Sequence, residues 1–205
     1  SLNAGSLWGR PFYILREAWN ILNAIAEGKI ESGDEKKLNA LKGETMAVIA
    51  LCQFDLTRCF GYPYTKDNGA SLGAPLIDHL VGTYENPSRS TVAQAYDFII
   101  ETLEEAVTLM SEEKNNGRMN KYAARALLAR VYLYHNDNRK AFDMAEQLIK
   151  DVDASGSYAL YPHEKYVAAW SVETKFGSES FFEIANSVDD TPGRDSWGYL
   201  LNWYG

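Results

Sequence analysis

The side chains with the most to offer chemically sit near the C-terminal end of this 205-residue sequence. Trp197, Tyr199, Trp203 and Tyr204 fall within eight positions, with Asp190 and Arg194 just ahead of them and Asp189, Asp195 and Asn202 close by. Tyr and Trp combine a flat apolar body with a polar tip. That pairing suits stacking on the C–H face of a sugar ring, while carboxylate, amide and guanidinium groups match hydroxyls. Eleven of the 48 residues from 158 to 205 are aromatic, so the enrichment is local. Trp8 with Asn3, near the start, forms a second candidate of the same chemistry. A second reading of the C-terminal rings stays open: they pack beneath the helices or against a further part of a longer protein.

Catalytic groupings are scarce. His79, His135 and His163 stand apart, with no H-x-x-x-H or H-E-x-x-H pair, so no zinc site is expected. Neither a G-x-S-x-G elbow nor a Gly-rich phosphate loop occurs. Glu104-Glu105 and Glu112-Glu113 read as solvated faces, because adjacent residues on a helix point apart. Asp189, Asp190 and Asp195 lack the spacing of a calcium-binding EF-hand loop. No catalytic residue, no metal and no cofactor is therefore expected. Cys52 and Cys59 lie about 10.5 Å apart along one helix axis, beyond the roughly 7 Å that a disulfide spans between Cα atoms. Both are expected to be small buried hydrophobes.

The 20 Lys and Arg against 28 Asp and Glu give a net charge of −8, which argues against a nucleic-acid partner. With 46% hydrophobic and 23% charged residues the chain reads as globular rather than disordered. No run of 18 apolar residues offers a membrane span, and the opening residues lack the order of a signal peptide. Both ends read as cut from a longer chain.

The elements that must position these groups are helical. Phe12, Leu15, Trp19, Leu22 and Ala26 predict a helix over 11–27. A second over 36–60 is apolar on more than one face, hence central, and stops at Gly61 and Pro63. Residues 61–89 read as a long Gly- and Pro-rich loop, a length that is functional or tied down elsewhere. Val92, Tyr96, Ile99, Leu103, Ala106 and Met110 predict a helix over 91–111 with a Thr91–Gln94 capping box. Asn120 caps a helix over 121–135. A tight turn at 136–138 and a helix to about 149 or 150 complete an antiparallel hairpin. In it Leu128-Ala129, Tyr132, Ala141 and Ala145 stand at tetratricopeptide spacings. Residues 155–205 read as irregular, with helical turns near 163–171 and strand character over 179–185. The fold class expected is all-α, with tetratricopeptide-like hairpins, long irregular loops and little or no sheet, in one domain over 1–205: helices over 11–60, the 61–89 loop, helices over 91–150 and the aromatic-rich 155–205.

The order of three blocks is informative. The first runs Gly43-Glu44, Phe54-Asp55-Leu56, Arg58, Phe60-Gly61, Pro63-Tyr64. The second is Arg89-Ser90-Thr91-Val92 with Tyr96-Asp97. The third is Gly117-Arg118 with Ala123-Ala124 and the run Ala126–Tyr134. Together, over residues 11 to about 186, they resemble the SusD/RagB family, although Ile49 stands where that family usually carries Arg. The resemblance implies a non-catalytic surface lipoprotein of the Bacteroidetes outer membrane. Such proteins bind glycan nutrients and act with a SusC-like TonB-dependent transporter. It also implies that the membrane is reached only through a lipid anchor outside this chain. Asp55, Arg58 and Arg89 are expected to be structural, as an ion pair or a tie between helix and loop.

The function expected is glycan binding at the cell surface, with ligand contacts from Trp197, Tyr199, Trp203, Tyr204, Asp190, Arg194, Trp8 and Asn3. The alternative is a helical-repeat scaffold that binds a protein or peptide on its concave face. A glycan-cleaving enzyme would need two carboxylates roughly 5–10 Å apart across a cleft.

Overall fold

A computed structural model describes residues 4–30, 33–115, 117–169 and 176–184. Six helices carry it: α1 (Ala4–Ala26), α2 (Glu35–Phe60), α3 (Val92–Leu109), α4 (Lys121–Tyr134), α5 (Asn138–Ser155) and the short α6 (Tyr166–Ala169). Between α2 and α3 lie two short antiparallel strands, β1 (Leu72–Pro75) and β2 (Arg89–Thr91), paired Leu72 to Thr91 and Pro75 to Arg89 with an irregularity between. The fold is all-α, as the periodicities predict.

α3 follows its apolar stripe closely. Val92, Tyr96, Ile99, Leu103, Ala106 and Met110 are each no more than 4% exposed. Its start is fixed by the capping box: Thr91 Oγ1 accepts from Gln94 N–H, and Gln94 Oε1 accepts from Thr91 N–H. α2 is the central helix, packed between α1 and α3. Its buried residues run almost all the way round, from Met46, Ala47 and Ala50 against α3 to Ile49, Cys52 and Leu56 against α1. Asp34 caps it by accepting from the Lys36 and Lys37 amides. At its end Gly61 donates to Thr57 O, in an extended rather than left-handed conformation.

Four local expectations need correction. α1 starts at Ala4, not at 11, and passes through Pro11. A proline there removes one helix hydrogen bond and crowds the carbonyl four residues back. The continued first turns let Trp8 pack edge-on against Phe12 and Phe60. α5 runs on to Ser155, because Val152 repeats the Leu148 face one turn later and Gly156 ends it at φ +64°. Residues 179–184 form bends and turns, not a strand; Phe181 packs against Tyr158 and Tyr122 instead. Cys59 is exposed, whereas Cys52 is buried as expected.

Candidate functional site

Of the residues chosen as ligand contacts, the structure describes Trp8. Its ring meets Phe12 at 5.1 Å and Phe60 at 4.7 Å between centroids, edge to face, and 39% of the residue stays exposed. Trp8 thus seals the seam between α1 and the end of α2 while keeping one edge in water. Asn3, Asp190, Arg194, Trp197, Tyr199, Trp203 and Tyr204 lie outside the described residues. The first ring of the aromatic-rich segment is core. Tyr158 is 6% exposed, packs 4.8 Å from Phe181 and accepts a 2.7 Å hydrogen bond from Asn120 Nδ2.

The block residues turn out to be struts. Glu44 accepts from Arg118 Nε and Nη2 and from Met119 N–H, tying α2 to the segment before α4. Gly43 lets α3 come close. A Cβ there would stand 2.9 Å from Ala106 O and 2.6 Å from Met110 Cγ. Gly117 is needed for both reasons at once, with φ +75° and a Cβ position 2.5 Å from Phe176 Cε1. Arg58 pairs with Asp55 and lies over the rings of Phe54 and Tyr134. Arg89 donates from Nε to Gly73 O at 2.7 Å and from Nη2 to Leu72 O at 2.8 Å. These observations agree with a structural role for Asp55, Arg58 and Arg89.

The long connection between α2 and α3 is tied down at Ile77. Its side chain is 6% exposed. Its N–H donates to Gln53 Oε1 at 3.3 Å, and its C=O accepts from Trp19 Nε1 at 3.1 Å. Gln53 is fully buried and also donates from Nε2 to Pro75 O at 3.1 Å. One polar residue in the central helix and one ring N–H on α1 therefore pair the backbone groups at the root of this loop, the buried Ile77 N–H among them. Beyond Ile77, His79 lies between two carboxylates, with Nδ1 2.6 Å from Asp78 Oδ1 and Nε2 2.8 Å from Glu85 Oε1. Asp78 first and Glu85 second raise its pKa above the ordinary histidine value. The Gly82 amide, then His79, hold the Glu85 carboxyl below its own. His79 stands apart from the other histidines in sequence, and its partners are carboxylates one residue before it and six after it, in a loop of turn formers. Gln53 carries no sequence signal beyond being a polar residue within the apolar stretch 46–56 of α2. Among the described residues no group of three or more His, Cys, Asp or Glu side chains is placed to hold a metal ion. Among them, too, no helix is long and apolar enough to cross a membrane.

A family model described as SusD-like, starch-binding associating with outer membrane, matches residues 3–133. The chain belongs to the SusD family. Solved structures agree. A SusD superfamily protein from Bacteroides vulgatus is 96% identical with a TM-score of 0.94, the match covering 100% of this chain and 46% of that one. A second, from Bacteroides thetaiotaomicron, is 39% identical with a TM-score of 0.83, over 91% of this chain and 40% of that one. A third, from Bacteroides vulgatus and provisionally described as sugar-binding, is 39% identical with a TM-score of 0.88, over 98% of this chain and 45% of that one. The chain thus spans less than half the length of these SusD-family relatives. No curated protein matches it. The three blocks of the resemblance now have physical content, since Gly43-Glu44, Gly117-Arg118 and Arg89 are the joints of this SusD-family scaffold.

Proposed function

We propose that this SusD-family protein binds glycan nutrients at the outer membrane without catalysis and delivers them to a SusC-like TonB-dependent transporter. The observation that carries the reading is the family match over residues 3–133, whose description names starch binding and outer-membrane association. A relative with 39% identity, provisionally described as sugar-binding, supports it. In this reading α1 to α5 form a rigid scaffold, and ligand contacts come from Trp197, Tyr199, Trp203 and Tyr204 with Asp190, Arg194, Trp8 and Asn3. Sugar rings stack on the aromatic faces and hydroxyls bond the polar groups. The protein works as a surface-exposed lipoprotein.

The test is a tryptophan-fluorescence titration of the chain with neutral and acidic oligosaccharides, beside a Trp197→Ala, Trp203→Ala double variant. A saturable change with one sugar class, lost in the variant, is the expected result. A flat response across the panel refutes a glycan site at the tryptophans of this chain. A second reading, a helical scaffold for a protein partner, draws on the exposed Leu133 of α4 and Phe142 and Ile149 of α5. It predicts the flat titration together with loss of partner binding on Phe142→Asp.

A further inference from the structure

Among the described residues Tyr84 carries the most exposed ring, at 96%. A single exposed aromatic is ordinary. The amount of polar structure that fixes this one is not. Tyr84 sits at the tip of the turn Gly82–Glu85, closed by Glu85 N–H donating to Gly82 O at 3.1 Å. Gly82 N–H in return donates to Glu85 Oε2 at 3.1 Å, and the other carboxylate oxygen is braced by His79. The loop is rooted on one side by Ile77 and on the other by Arg89. A ring that contributes nothing to the core is thus held out on a frame supported at both ends.

Beside the turn lies an open cleft of about 490 Å³, lined by His79, Glu85, Asn86, Ser88, Arg89 and Gln94 among others. That volume lies within the range of small-molecule sites, roughly 300–1,000 Å³. Several of its polar groups have capacity to spare. The Asn86 amide and the Ser88 hydroxyl make no hydrogen bond to a described residue. Gln94 uses its Oε1 in the capping box and keeps its Nε2, while Arg89 uses Nε and Nη2 and keeps Nη1. In the lining the Glu85 carboxylate is matched by the Arg89 guanidinium, so neither sign of charge is favoured, and the polar groups disfavour an apolar ligand. A mixed set of donors and acceptors matches hydroxyls, which donate and accept at once, and the exposed ring of Tyr84, next in sequence to the lining residue Glu85, suits the C–H face of the sugar that carries them.

We propose that the 78–94 segment forms a binding site for a neutral saccharide, with Tyr84 as the stacking platform and Asn86, Ser88 and Gln94 as hydroxyl partners. This rests on the glycan reading above and assigns part of the binding to residues which that reading did not include. The preformed frame lowers the ordering cost of binding.

The test is calorimetric titration of the full chain with maltoheptaose, cellohexaose and xylohexaose, for the wild type and for Tyr84→Ala, Tyr84→Phe and Asn86→Ala. Position 84 makes no core contact, so the thermal midpoint should not move. Tyr84→Ala is expected to weaken the responding saccharide about tenfold, whereas Tyr84→Phe keeps the stack and stays within about twofold. Wild-type affinity in both Tyr84→Ala and Asn86→Ala, with binding lost in the Trp197→Ala, Trp203→Ala variant, overturns this site and leaves the glycan reading standing. Absence of binding to any of the three by the wild-type chain overturns the site together with that reading.

Discussion

Gln53 is the side chain on which the placement of the long α2–α3 connection turns, and its replacement by Leu tests that directly. Leu has nearly the same volume and fills the same space, so no cavity term enters. The change removes the bonds to Pro75 O and Ile77 N–H. Each hydrogen bond is worth about 1 kcal/mol net, and a buried group left without a partner costs a further 1–3 kcal/mol or so. Pro75 is half-buried and its carbonyl can regain water, whereas the Ile77 amide, beside a side chain 6% exposed, cannot. The sum is about 3–5 kcal/mol, to be read from urea unfolding. Locally, amide exchange at Ile77 should accelerate about 30-fold or more, and proteolysis should begin within 61–89.

Gln53→Glu sharpens the same test through pH. A protonated carboxyl at 53 can donate to Pro75 O and accept from Ile77 N–H as the amide does. An ionised one cannot donate and is buried. The folded-state pKa of this introduced Glu is therefore raised above the unfolded value of about 4.3. The folded state then binds more protons, so the stability of Gln53→Glu relative to wild type falls as pH rises from about 4.3 through that higher value. The variant should exceed Gln53→Leu in stability near pH 5 and fall below it near pH 7.5. A Gln53→Leu protein within about 0.5 kcal/mol of wild type, with Ile77 still protected, would refute the clamp.

Three other sites in the fold are open to direct test. Gly43→Ala should destabilise the protein by about 1–2 kcal/mol in denaturant unfolding. The new Cβ meets the Ala106 carbonyl at 2.9 Å, and overpacking of that kind outweighs the helix-propensity gain of about 1 kcal/mol. Cys59 should react with a thiol reagent in the native state, whereas Cys52, pushed up to about 11 by burial and then by Asp55, should react only on unfolding. An Ellman titration of the native chain should count one of the two thiols. His79 should titrate above 6.5 in a proton NMR series. Its contribution to the 78–85 turn is complete below about 6.5 and is lost as pH rises through the higher folded value, because neutral imidazole can donate to only one of its two carboxylates. Exchange at the Gly82 amide should quicken over that interval, and Glu85→Gln should bring the His79 midpoint down.

The helices were legible because each states its own geometry locally. The 4-3-4-3-4 steps of α3 define its buried face, Thr91 and Gln94 define its first turn, and Asn120 caps α4 from beside it. Where the reading missed, a contact distant in sequence had overridden a local rule. Pro11 and Gly9 argue for a helix beginning at 11, yet the Trp8–Phe12–Phe60 contact joins residues 52 apart and holds the earlier turns. Phe181, Phe182 and Ile184 have strand propensity, but that propensity records a fit to a half-buried surface. The surface Phe181 found was the Tyr122–Tyr158 pair. The eight ligand candidates include one described residue, Trp8, which the structure gives a packing role with an exposed edge.

A difference in kind separates the residues that reveal this family from those that could bind its ligand. Gly43, Glu44, Gly117, Arg118 and Arg89 stand in the blocks that carry the resemblance, and each solves a problem with few solutions. A helix crossing needs a missing Cβ, a left-handed turn needs glycine, and two backbone carbonyls need a forked donor. Such constraints leave a strong mark on sequence and say nothing about the ligand. Tyr84 is under no such constraint. It touches no core, lies in a segment without periodicity, and owes its position to Gln53, Trp19 and His79, of which two are more than twenty residues away. A residue of that sort carries function without a local signature, and it is found by asking which exposed ring the buried hydrogen bonds are arranged to hold still. Transplanting the 78–88 loop into a SusD-family relative with different sugar preference should therefore carry specificity only if the Gln53 and Trp19 ties go with it. Transfer without those ties, at full affinity, would show that the frame is dispensable.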